Sequence, residues 1–191
     1  MSVLSVKDGH PADVDSQLVQ LLRDENDRAL EELLRREGAK VLRLIQRLTG
    51  WHEDSYDLCQ EVFIAAWRHG GRMQSDDALA RWLTRVAINR CRTWNRRRVL
   101  SARFFQWLQG QTYGQTQRSE TENVLDRDWV RQAVARLKPG DREVLVLRYM
   151  EHLEITQIAT LLGIKRAAVD ARLTRARDRL SQILTDEKNQ P

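Results

Sequence analysis

The chain has 191 residues and a formal net charge of +5 at pH 7, long enough for one large domain or two small ones. No apolar run approaches the ~20 residues that a membrane span needs, and the amino terminus lacks an apolar signal-peptide core, so the expected location is cytoplasmic and the chain is not expected to span a membrane. Cys59 and Cys91, the two cysteines, lie in helical patterns without a CxxC or a neighbouring His pair, which argues against redox or metal chemistry and for two small core residues.

Charge is unevenly spread. From Arg81 to Arg103 there are eight arginines and no acid, whereas residues 51–80 carry Glu53, Asp54, Asp57, Glu61, Asp76 and Asp77 against Arg68 and Arg72. Separate acidic and basic surfaces suit a protein that joins a basic protein partner to nucleic acid.

In chain order, Asp15 to Glu37 places Leu18, Leu21, Leu22, Ala29, Leu30, Leu33 and Leu34 at helical intervals, interrupted by Asp24-Glu25-Asn26-Asp27, and reads as two helices. Val41 to Leu48 continues the pattern until Thr49-Gly50 closes it. Glu53-Asp54-Ser55 opens a helix whose apolar face is Leu58, Val62, Phe63, Ala65, Ala66 and Trp67, and Gly70-Gly71 stops it. On that helix Asp57 and Glu61 are four apart, and Gln60 beside them completes one acidic, hydrogen-bonding patch.

The next helix begins near Ser75-Asp76-Asp77, a good amino-terminal cap with acids in the first turn. Its core stripe is Leu79, Trp82, Leu83, Val86, Ala87 and Trp94. Opposite it Arg81, Arg85, Arg92 and Arg96 cluster, with Asn89 at their edge and Ile88 beside them. So many arginines without an acid argue for a polyanion as partner. Trp82 and Trp94 lie on the apolar side and are expected to pack in the core.

Gln109 to Asn123, QGQTYGQTQRSETEN, has too little apolar surface to offset ordering entropy and reads as a flexible linker. Beyond it, Asp141 to Leu180 reads as three short helices, the last two hinged at Leu162-Gly163-Ile164. Ile155, Ile158, Ala159 and Leu162 give the first of that pair one apolar face, and Gly163 supplies the positive φ that ends it. In the second, Val169, Leu173, Ala176 and Leu180 form the buried stripe. Ala167, Ala171, Thr174 and Arg175 fall on the other side, flanked by Arg166, Arg172 and Arg177. Small and hydrogen-bonding residues outermost with arginines beside them suit a DNA major groove.

The expected fold is therefore all-α: two small helical domains joined by a flexible polar linker, the carboxy-terminal one containing a helix-turn-helix. His10, His52, His69 and His152 are scattered, and the sequence holds no Ser-His-Asp set and no Gly-rich phosphate loop, so no catalytic residue, metal or cofactor is expected and the chain does not read as an enzyme.

Two stretches carry a family resemblance. Asp57-Leu58-Cys59-Gln60-Glu61-Val62-Phe63-Ile64-Ala65-Ala66-Trp67, followed by Arg81 to Arg90, resembles region 2 of bacterial extracytoplasmic-function sigma factors, the group IV class of the sigma-70 family. Leu137-Lys138-Pro139, Arg142-Glu143-Val144-Leu145, Leu147-Arg148-Tyr149, Ile158-Ala159, Leu162-Gly163-Ile164 and Val169 through Leu180 resemble region 4. The resemblance implies a tail over 1–14, region 2 over 15–105, a linker over 106–124, region 4 over 125–184 and a tail over 185–191. It implies that Asp57, Gln60 and Glu61 dock on core RNA polymerase, and that Arg81, Arg85, Asn89, Arg92 and Arg96, with the loop His69 to Asp77, read and open the −10 element of promoter DNA. Arg166, Ala171, Arg172, Thr174 and Arg175 would read the −35 element, and the linker would thread toward the RNA exit path. A membrane-associated anti-sigma protein is the implied regulator. Asp170 and Ala171 depart from the residues usual in the family, Lys or Arg and Ser, so the promoter sequence is not expected to copy that of relatives. The alternative is a helix-turn-helix transcriptional regulator that acts without being a polymerase subunit.

Overall fold

A computed structural model describes residues 17–26, 28–109 and 128–188. The described residues form helices and turns: α1 Gln17–Arg23, α2 Arg28–Thr49, α3 Ser55–His69, a 3₁₀ turn Gly70–Arg72, α4 Asp76–Gln109, α5 Asp128–Ala135, α6 Pro139–Leu145, a π turn Val146–Met150, α7 Ile155–Leu162 and α8 Arg166–Lys188. The all-α expectation and its division into two helical halves hold. The expected linker and both tails lie mostly outside the described residues, although α4 runs to Gln109, past the expected start of the linker.

In the first half α2, α3 and α4 pack on one another around Leu33, Ile45, Val62, Leu79, Leu83, Ala87 and Ile88, all buried. Ile88 corrects the sequence reading, which set it beside the arginines. α4 is covered by both α2 and α3, so its buried stripe is broad enough to include Ile88 and Cys91. Burial pushes the Cys91 thiol up to about 12, as befits a core residue with no thiolate role. The helix start expected at Ser75 is present: Ser75 Oγ accepts the Ala78 N–H at 3.2 Å. Asp76 does more than sit in that first turn. Its carboxylate accepts the N–H groups of Leu18 at 3.2 Å and Val19 at 2.9 Å, so the first turn of the seven-residue α1 is satisfied from 57 residues away in sequence, and Arg36 closes on it at 3.0 Å.

In the second half α6 and α7 pack on α8 around Val144, Leu147, Ile158, Leu162, Val169, Leu173 and Ala176. The stripe expected on α8 is the one observed, with Leu180 partly buried. α7 opens on a capping box between Glu154 and Gln157. It ends where the sequence puts its end, on Gly163 in the left-handed region at φ 64°. The first of the three expected helices is broken instead into α6 and a π turn over Val146–Met150, from which Arg148 donates to the Leu153 carbonyl at 3.0 Å.

A Cβ added at Gly163 would meet no atom within 4 Å, so substitution there tests backbone conformation alone. Gly163→Ala is expected to lower stability by about 1 kcal/mol, and Gly163→Asn by less, in urea titrations followed by circular dichroism. Equal stability of all three chains would contradict the left-handed cap.

Candidate nucleic-acid interface and docking face

α3 buries Leu58, Val62, Phe63 and Ala66 against its neighbours and leaves Asp57, Gln60 and Glu61 exposed together. The exposed side is wider and more apolar than the sequence suggested. Trp67, expected in the core face, stands out with Tyr56 and Ile64. At 100° per residue Tyr56, Gln60, Ile64 and Trp67 fall within about 80° and the two carboxylates lie along their edge. The result is a half-apolar, half-acidic strip. The pattern is readable afterwards as Tyr-x₃-Gln-x₃-Ile-x₂-Trp, a second apolar stripe that the grooves of α2 and α4 have no room to take. Glu61 meets Arg90 at 3.2 Å, with both side chains about half exposed, so the pair adds little to folding and leaves the carboxylate available to another cation.

On α4, Arg81, Arg85, Asn89 and Arg96 are exposed as expected, on the side away from the core. Arg92 is not exposed with them: it is partly buried and turns toward the second half, donating to the Leu162 carbonyl at 3.0 Å. Trp82 and Trp94 are partly buried against the core, consistent with packing. The Trp94 indole N–H donates to Asp54 Oδ2 at 2.7 Å, its ring meets the edge of His52 at 4.9 Å, and Arg98 lies over it at 5.2 Å. Asp54 immediately precedes α3, so this bond ties the start of α3 to α4. His52, Glu53 and Asp54 bring their donor atoms within 4.8 Å of one another, but Asp54 is engaged by Trp94 and His52 Nδ1 accepts the Asp54 N–H at 3.2 Å. In the loop from His69 to Asp77, which the resemblance assigns to the −10 element, the glycines face α1. Gly70 is buried, with a Cβ there falling 2.8 Å from Leu22, and Arg23 donates to the Gly71 carbonyl at 3.1 Å. The glycines serve the contact with α1, while His69, Arg72, Gln74 and Asp77 provide the exposed part of that stretch.

On α8, Arg166, Ala167, Ala171, Thr174 and Arg175 share the exposed side, as the helical wheel predicts. Asp170 is exposed among them, and its carbonyl accepts from Thr174 Oγ1 at 3.1 Å. Arg172 is different. It is partly buried along α6, its Nη1 4.0 Å from Glu143. Arg175 reaches Asp141 at 3.5 Å but keeps most of its surface.

An exposed acidic strip, a long helix faced with arginines and a helix-turn-helix with small residues outermost are the three surface features of the described residues. Residues 33–100 match the model of sigma-70 region 2 and residues 127–180 that of sigma-70 region 4. The chain belongs to the sigma-70 family, in its extracytoplasmic-function group. It is 29% identical over 181 residues to the RNA polymerase sigma-H factor of Pseudomonas aeruginosa, covering 89% of this chain and 93% of that one. To the ECF RNA polymerase sigma factor SigM of Mycobacterium tuberculosis it is 28% identical over 156 residues, 82% of this chain and 77% of the other. Among solved structures, that of CnrH in complex with the cytosolic domain of CnrY is similar at 25% identity with a TM-score of 0.56, covering 88% of this chain and 96% of that one.

The sigma-factor matches place α3 and α4 in region 2 and α6, α7 and α8 in region 4, and a region-2 match of this extent speaks against a regulator that works apart from polymerase. The chain is thus a transcription initiation factor, and the Trp94–Asp54 bond ties the start of its α3 to α4. Trp94→Phe keeps the ring and removes that bond. It is expected to lower stability by about 1–2 kcal/mol in urea unfolding. No loss would mean that the bond does not set the angle of α3 on α4.

Proposed function

We propose that this sigma factor works in the cytoplasm by docking on core RNA polymerase through Asp57, Gln60 and Glu61, with Tyr56, Ile64 and Trp67 beside them. It carries no chemistry of its own: what it supplies is a polymerase contact and two DNA-reading surfaces, and catalysis stays with polymerase. The observation that carries the reading is the exposed strip on α3, where carboxylates border large apolar side chains in a chain of net positive charge. Apolar contact area bordered by charge is the composition of a protein interface whose anchors are aromatic and whose rim steers the partner.

Promoter DNA is read twice. Arg81, Arg85, Asn89, Arg92 and Arg96 face the −10 element. The arginines supply phosphate-directed charge, and Asn89, which both donates and accepts, reads a base edge. Arg166, Ala171, Thr174 and Arg175 enter the major groove at the −35 element, with Ala171 allowing close approach and Arg175 able to pair with guanine. Arg172 belongs to this set as a phosphate contact. The regulator is a membrane-associated anti-sigma protein whose cytoplasmic segment covers α3. The solved relative CnrH, bound to the cytosolic domain of CnrY, supports a partner of that kind.

Glu61→Lys is expected to weaken binding to core polymerase about tenfold or more while leaving the thermal midpoint nearly unchanged, since an exposed charge contributes little to folding. Wild-type affinity for core would remove Glu61 from the docking face. In the holoenzyme, Arg175→Ala should cost about 1–3 kcal/mol at one base pair of the −35 element and relax preference there, whereas Asn89→Ala should alter preference at −10. Uniform weakening on every promoter by both variants would contradict base reading.

A further inference from the structure

Among the exposed residues that open α8, from Arg166 to Arg175, one is an acid. Asp170 stands out between Arg166 and Ala167 on one side and Ala171, Thr174 and Arg175 on the other, and all six are exposed. At 100° per residue Arg166 and Thr174 lie within about 40° of Asp170, and Ala167 within about 60°. Three ordinary duties of a helical aspartate are not performed here. Asp170 does not cap the helix, because α8 begins at Arg166 and the orphan N–H groups are confined to its first turn. It has no favourable partner along the helix: three and four residues on stand Leu173 and Thr174, and Arg166, four residues before it, gives the weaker order for an ion pair. Nor does it pair across helices. Among the described residues its carboxylate has no cationic partner, whereas the arginines that follow are drawn to acids of α6, Arg172 to Glu143 at 4.0 Å and Arg175 to Asp141 at 3.5 Å.

The neighbouring hydroxyl does not occupy the carboxylate either. Thr174 Oγ1 donates to the Asp170 carbonyl at 3.1 Å, so its proton is committed to the backbone and both carboxylate oxygens face outward. An ionised carboxylate only accepts, and it is repelled by phosphate, so on DNA it needs a base edge that donates. In the major groove cytosine offers its N4 amino group with no acceptor beside it on the same base. Adenine sets N7 next to its amino group, guanine shows O6 and N7, and thymine shows O4. A carboxylate therefore separates cytosine from the other three. The aspartate side chain is short, so the helix must come close for it to reach a base, and the methyl groups of Ala167 and Ala171 beside it leave that approach open.

We propose that Asp170 is a specificity residue of this sigma factor, accepting from the N4 amino group of a cytosine in the −35 element and so selecting a C·G pair at that position. The inference rests on the assignment of α8 to the −35 element. Asp170 and Arg175 are five residues apart, about 7–8 Å along the helix axis, so they address different base pairs.

The test is made in holoenzyme assembled from core polymerase and the full chain, on templates randomised upstream of the start site, with the transcribed templates sequenced. Wild type is compared with Asp170→Ala, Asp170→Asn and Arg175→Ala. The carboxylate makes no contact within the fold, so the Asp170 variants should keep their helix content by circular dichroism. Wild type is expected to favour C·G over the other pairs about fivefold or more at one position of the −35 block. Asp170→Ala should lose that preference and leave the other positions as they were. Asp170→Asn should move it toward A·T, because an amide accepts from adenine N6 and donates to N7 at once. Arg175→Ala should alter a different base pair. A wild type without a C·G preference, or an Asp170→Ala chain that retains it, would overturn the inference. So would Asp170 variants that transcribe more from every −35 sequence alike while Arg175→Ala still shifts one position: Asp170 would then be a repelling charge only, with the reading by α8 intact. If no variant moves any −35 preference, the assignment of α8 itself falls, and the role of Asp170 with it.

Discussion

Helix carboxyl ends need donors, and this chain answers that need with arginine. An α-helix finishes on carbonyls that have no N–H partner, and a chain of short helices has many such ends to satisfy within a small volume. Three of them here, on α2, α5 and α7, receive a guanidinium from Arg142 or Arg92. Arginine suits the task because its planar fork can reach two carbonyls at once, as Arg142 does, and because it remains charged when buried. The same residue type contacts phosphate, so the composition that makes the chain basic serves both these helix ends and its DNA faces.

The other end of the helices is handled by carboxylates. Asp76 caps α1 from a distance, and Glu154 with Gln157 closes the start of α7. These local satisfactions matter to the proposed function because the side chains assigned there to polymerase and DNA project from α3, α4 and α8, and each helix is turned by what holds its ends. The indole bond from Trp94 to Asp54 orients α3 on α4, and the left-handed Gly163 sets α8 against α7. A sigma factor needs its polymerase face and its DNA faces angled against one another, and rigid helices with fixed ends deliver that angle.

Much of this was legible in the sequence because helical periodicity decides which side is core. Val169, Leu173 and Ala176 on α8 and the outward set Ala171, Thr174 and Arg175 follow from a 100° turn per residue, and the stop at Gly163 from glycine's access to positive φ. Periodicity fails where two elements compete for one face. Ile88 is buried because α4 is gripped from two sides, and Trp67 is exposed because α3 has more apolar surface than its neighbours cover. Nor does periodicity report contacts between distant parts of the chain. Arg142 and Glu143 sit in the first of the three helices expected over Asp141 to Leu180, and that an arginine there is buried against Leu48, 94 residues away, leaves no local signal. The wheels put Arg92 and Arg172 among the outward arginines, whereas the Leu162 carbonyl and Glu143 hold them partly buried.

The central claim is that this chain gives core RNA polymerase a promoter preference through two separate DNA surfaces. The most direct measurement is multi-round transcription from a template library randomised upstream of the start site, with core polymerase and with or without the chain, followed by sequencing of the templates that yield transcripts. The account predicts defined start sites when the chain is present, from templates enriched for two short blocks held at a constant spacing. Transcription that the chain leaves unchanged, or enrichment of one block alone, would contradict it.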